Sequence, residues 1–68
     1  MNWDEIAGRW NEHMGRARER WGRLTDDDLQ AVEGQRDQLI GKIQHAYGTT
    51  RDEAEKQIDD FLDSLTQH

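Results

Sequence analysis

The sequence predicts an all-α protein, a compact small bundle of about four helices. Three observations predict it. Apolar residues recur in steps of three and four, the spacing of one buried helix face. Helix-start patterns, Thr25 with Asp28 and Thr50 with Glu53, stand just ahead of two of these runs. Glycines punctuate the runs, and no proline or Ser/Gly-rich linker interrupts them. A chain of 68 residues makes one small domain at most, spanning 1–68 with an ordered part of about 3–65.

The first helix starts near Asn2, with Glu5 three residues later as a capping partner. Trp3, Ile6, Trp10, Met14, Ala17 and Trp21 form its apolar face, and Gly22 is a stop. The second opens at Thr25. Its first turn holds Asp26, Asp27 and Asp28, where the helix dipole favours carboxylates, and Leu29 and Val32 face inward. Gly34 ends or bends it. A third runs from about Gln35 to Gly48, with Leu39, Ile40, Ile43 and Tyr47 on its apolar face. Thr50 and Glu53 start a fourth that buries Ala54, Ile58, Phe61, Leu62 and Leu65; the last three residues are expected to fray. The core is predicted to hold Trp3, Trp10, Trp21, Leu29, Val32, Leu39, Ile43, Tyr47, Ile58 and Phe61.

Residues 5–25 read in sevens: EIAGRWN, EHMGRAR, ERWGRLT. Each block carries a glycine, which costs a helix roughly 1 kcal/mol relative to alanine. At about 100° per residue, Gly8, Gly15 and Gly22 fall roughly opposite the tryptophans, on the polar face. Glu5, Glu12 and Glu19 each precede an arginine (Arg9, Arg16, Arg23) by four residues, the favourable order for helical ion pairs worth about 0.2–0.5 kcal/mol each. Such a helix is stable mainly while its tryptophan face is buried. Gly34, Gly41 and Gly48 repeat the seven-residue spacing, and GRWNEHMGRARERWG (8–22) aligns with GQRDQLIGKIQHAYG (34–48), which suggests an internal repeat.

Charge is uneven. Residues 1–24 hold five arginines against four carboxylates, and residues 25–68 hold four basic against eleven acidic side chains, for a net −6. The acidic majority argues against broad nucleic-acid binding, which requires cations to replace counterions. No cysteine is present, which fits a reducing compartment and excludes disulfides and thiolate zinc sites. No apolar run approaches the length of a membrane span, and no signal peptide is evident. A cytoplasmic location is expected.

The run WGRLTDDDL (21–29), with Gly8-Arg9-Trp10, Glu33-Gly34, RDQL (36–39), GKIQ (41–44), Tyr47-Gly48 and EAEKQ (53–57), resembles the CsbD-like family of small bacterial general stress-response proteins. The resemblance covers Asp4 to about Phe61. It implies a small cytoplasmic all-α protein induced by general stress, with two helical hairpins packed crosswise and no established enzymatic activity. The family supplies no catalytic residues to carry over.

The residues themselves point the same way. Asp26 to Asp28 fail as a calcium loop, because the sixth position is Ala31 and the twelfth Asp37. His13, His45 and His68 lack metal-ligand spacing. Ser64 is the single serine and lies near the chain end, so no nucleophile–base pair stands out. No enzyme activity, cofactor or metal is expected. Arg9, Arg16, Arg20 and Arg23 fall on one flank of the first helix. That flank could meet phosphate or anionic lipid, but intrahelical pairing is the simpler account.

Two functions remain. One is a hydrophilic protectant accumulated under general or osmotic stress, acting as a monomer. The other is a binding module docking a protein or nucleic acid through Gly8, Arg9, Gly15, Arg16, Arg20 and Arg23, where glycines would allow close backbone approach. Its partner is unknown, and nucleic acid is the less expected of the two.

Overall fold

The first predicted helix comes in two pieces. The structure, a computed structural model, describes residues 2–66. It contains α1 (Trp3–Gly8), α2 (Trp10–Arg20), α3 (Asp26–Val32), α4 (Arg36–Tyr47) and α5 (Arg51–Thr66), with no strand among the described residues. The all-α bundle is therefore as expected. α2 packs on α3, α3 on α4 and α4 on α5. The radius of gyration is 10.8 Å, the value of a folded chain of this length (about 11 Å) rather than of the disordered one that 35% charged residues could suggest. Of the residues expected to fray, Gln67 and His68 lie outside the described residues, and Thr66 closes α5.

The break lies at Arg9, whose backbone turns to φ −127°, ψ 37°. Its N–H falls back on the Ile6 carbonyl at 3.1 Å, a three-residue closure. Nothing local demands this: there is no proline, and Gly8 does not adopt positive φ. The cause is tertiary. Ile6 is fully buried, and Ala7 lies so close to Gly34 that a Cβ there would stand 3.1 Å from the Ala7 carbonyl. Docking α1 against the end of α3 bends the chain.

Local signals set the other boundaries. The Asn2 side chain accepts the Glu5 N–H at 3.0 Å. Thr25 and Asp28 form the reciprocal box, with Asp28 N–H to Thr25 Oγ1 and Thr25 N–H to Asp28 Oδ2, both 3.1 Å. Thr50 Oγ1 accepts the Glu53 N–H at 3.2 Å. α3 ends through two left-handed residues, Glu33 (φ 53°) and Gly34 (φ 77°), so the turn is tighter than one glycine implies. Gly48 (φ 63°) caps α4. α2 stops at Arg20, ahead of Gly22.

The core comprises Ile6, Trp10, Ala17, Trp21, Leu24, Leu29, Val32, Leu39, Ile40, Ile43, Ala54, Ile58 and Phe61. Two predicted members differ. Trp3 is half-buried, and Tyr47, at the outer end of α4, is 38% exposed. Leu62 and Leu65 are half-buried on the rim. Leu24 joins the core from a turn, where no helical period points to it.

Buried indole N–H groups require acceptors. Trp3 Nε1 donates to the Gly34 carbonyl and Trp10 Nε1 to the Leu29 carbonyl, both at 2.8 Å. Leu29 lies in the last turn of α3, where carbonyls lack helical partners, and Gly34 lies in the turn that follows. Trp21 Nε1 donates to Gln57 Oε1 at 2.8 Å and its ring packs on Phe61, centroids 5.1 Å apart, which ties α2 to α5.

The glycines separate into two kinds. Gly15 lies exposed in α2 with nothing within 4 Å of an added Cβ, so Gly15→Ala should stabilise the fold by about 1 kcal/mol in urea unfolding. Gly34→Ala should destabilise it, through positive φ and collision with Ala7.

Candidate functional site

The Gly/Arg face comes from α1, α2 and the turn that follows. Gly8 and Arg9 sit at the break and line an open groove with Trp10, Met14, Gln30 and Glu33. A second groove beside them is lined by Asp4, Glu5, Glu12 and His13. Gly15 and Arg16 are exposed on α2. Arg16 and Arg20 line a third groove with Phe61, Ser64 and Leu65 of α5. Arg23 lies past the end of α2. Its guanidinium stands 5.6 Å from the Tyr47 ring centroid, and its backbone N–H donates to Tyr47 Oη at 3.1 Å. The six residues thus occupy separate places: Gly8 and Arg9 beside the end of α3, Arg16 and Arg20 beside α5, Arg23 beside Tyr47 of α4, and Gly15 exposed on α2.

The expected helical ion pairs Glu5–Arg9, Glu12–Arg16 and Glu19–Arg23 are not formed among the described residues. Two fail for a clear reason: Arg9 is the break and Arg23 is outside the helix, so neither keeps helical spacing. Arginines bind between elements instead. Arg18 meets Asp26 at 2.6 Å, Arg20 meets Asp60 at 4.0 Å and Arg36 meets Asp59 at 3.0 Å. These are exposed pairs of small individual worth. Arg9 and Arg16 have no ion pair among the described residues.

The acidic cluster is helix-start chemistry. The Asp28 carboxyl is held below its ordinary pKa chiefly by the Thr25 backbone N–H; burial opposes this, and the Thr25 hydroxyl and Lys42 Nζ at 3.5 Å add smaller lowering effects. The pairing with Lys42 of α4 has no counterpart in a local motif. No group of three or more His, Cys, Asp or Glu side chains among the described residues is arranged to hold a metal ion. His13 lies half-buried beside the second groove, His45 is exposed on α4, and His68 lies outside the described residues. Ser64 Oγ donates to the Phe61 carbonyl at 2.7 Å, a bond within its own helix.

The CsbD-like family model matches residues 4–56, from α1 through α4 into the first part of α5. The chain belongs to the CsbD-like family. It is 52% identical over 61 residues to the UPF0337 protein YjbJ of Escherichia coli (strain K12), covering 90% of this chain and 88% of that protein. A UPF0337 protein of Pectobacterium atrosepticum is 47% identical over 68 residues, covering 100% and 99%. One from Pseudomonas aeruginosa is 49% identical over 65 residues, covering 96% and 100%. The CsbD-like proteins are small stress-response proteins and are not known as enzymes. In this CsbD-like chain, no helix among the described residues is long and apolar enough to cross a membrane.

The Thr25–Asp28 box yields two expectations. Thr25→Ala should cost about 1 kcal/mol of stability in urea unfolding. Because the Asp28 pKa is lower in the folded state than its ordinary 3.8, its contribution is present above that value and is lost as pH falls through the depressed folded pKa. Thermal melting of the wild type should therefore lose more on acidification below about pH 4 than that of Asp28→Asn.

Proposed function

We propose that this CsbD-like chain is a non-enzymatic, hydrophilic protectant of the cytoplasm, accumulated under general or osmotic stress. The observation that carries this reading is its surface. Among the described residues, Tyr47 is the only large hydrophobic side chain that is exposed, and no polar or charged residue is fully buried. The apolar side chains are gathered inside, and a net charge of −6 with mean hydropathy −1.21 is presented to water. Such a surface stays dissolved at high concentration through mutual repulsion and hydration. Ser64 has no general base beside it in its hydrogen bonding, and the grooves are open, so a water-excluding reaction site has no support.

A second reading has its own observation. Gly8 and Gly15 leave open space above the backbone, and Arg9 and Arg16 have no ion pair among the described residues. In this reading Gly8, Arg9, Gly15, Arg16, Arg20 and Arg23 dock a protein or nucleic-acid partner. The acidic remainder weighs against a polyanion, since it acts within a Debye length of about 8 Å.

The deciding experiment dries or freeze–thaws a labile enzyme with the protein and with an equal mass of a globular protein of similar charge. The protectant reading expects more activity retained with this chain, and equal protection by the paired variant Arg9→Ala/Arg16→Ala. No advantage over the control contradicts it. Duplex DNA at about 0.15 M salt should show no tight complex; sub-micromolar binding with a steep salt slope would favour docking instead.

A further inference from the structure

The bend at Arg9 and the sequence around it disagree, and the disagreement has a consequence. Residues 3–21 carry the apolar spacing of one continuous helix. The side chain of Arg9 is exposed, and arginine is among the better helix formers. The bend is imposed by α1 sitting in a slot: Ile6 fully buried, Trp3 Nε1 on the Gly34 carbonyl at 2.8 Å, and Ala7 against Gly34. Six residues joined to the remainder through one non-helical position hold that slot.

We propose that α1 is exchangeable between copies: released from its own slot it straightens onto α2, and the same slot then takes α1 from a second copy, giving a reciprocally swapped dimer. The surface involved is the α1 slot at the α3–α4 turn, and the partner is another molecule of this chain. Complementarity is already demonstrated within the monomer, because the swapped contact repeats it. Straightening restores helical geometry at Arg9, places Glu5 and Arg9 at an ordered four-residue spacing, and meets open space, since the hinge is flanked by grooves and an added Cβ at Gly8 touches nothing. Gly8 acts as a brake. It is the last residue of α1 in the bent form and would be interior in the straight one, where glycine is least favourable. Exchange is bimolecular, so it grows with concentration and belongs to conditions in which the protein accumulates.

The test is light scattering on the full chain across a concentration series, with Gly8→Ala and Arg9→Gly, two exposed positions, as opposed variants. Each hinge change alters helix propensity by up to about fivefold in equilibrium terms, and a reciprocal dimer contains two hinges. Gly8→Ala should therefore raise the dimerisation constant by up to about 25-fold, and Arg9→Gly should lower it by a similar factor. In mixed labelled and unlabelled samples, the dimer should give intermolecular NMR contacts between Ala7 and Gly34. Monomer for all three proteins at every concentration overturns the proposal. So does a dimer whose constant is unmoved by the two variants, moves the same way in both, or lacks the Ala7–Gly34 contact between chains.

Discussion

The indole N–H groups of Trp3 and Trp10 tie α1 and α2 to α3 and to the turn that follows it. α3 is only seven residues long and is followed by the positive-φ residues Glu33 and Gly34, so the carbonyls of its last turn lack i+4 helical partners. Trp10 satisfies Leu29 and Trp3 satisfies Gly34. The two rings also pack together, centroids 5.6 Å apart. In a chain without cysteine, and with no metal-binding cluster among the described residues, large aromatic surfaces that also satisfy carbonyls supply burial and specificity in the same side chain. Leaving such a carbonyl buried and unpaired would cost about 1–3 kcal/mol, a large share of a small domain's stability.

What depends on neighbours within one turn was legible in the sequence. The box at Thr25 and the cap at Thr50 were readable because in each the two partners lie three residues apart. The apolar faces of α4 and α5 were readable because each runs unbroken over several turns. What depends on distant contacts was not. The bend at Arg9 is caused by Gly34, which lies 25 residues away in sequence and receives α1. Tyr47 keeps the correct period, but α4 carries it to the edge of the core, where it serves Arg23 instead. Leu24 is core without belonging to any helix. No local signal named the carbonyls of Leu29 and Gly34 as the acceptors of Trp10 and Trp3.

The candidate face shows the same division. Exposure of Gly8 and Gly15 followed from angular spacing on a helix. The pairing of the arginines did not: Arg9, Arg16 and Arg23 form no ion pair among the described residues, while Arg18 and Arg20 engage the cross-element carboxylates Asp26 and Asp60. A charged exterior surrounds a core of thirteen apolar residues among those described. The glycines lower helix propensity where nothing packs, so stability rests on the tryptophan-bearing side.

The most direct measurement is hydrogen exchange of the Trp10 indole N–H, followed by NMR alongside the backbone amides of Leu39 and Ile43 in the core. If the bond to the Leu29 carbonyl holds the fold together, this proton exchanges only when the whole domain unfolds, at the same free energy as those amides. An indole proton that exchanges much faster than the core amides would show that the bond opens independently, and would contradict the central place given to it.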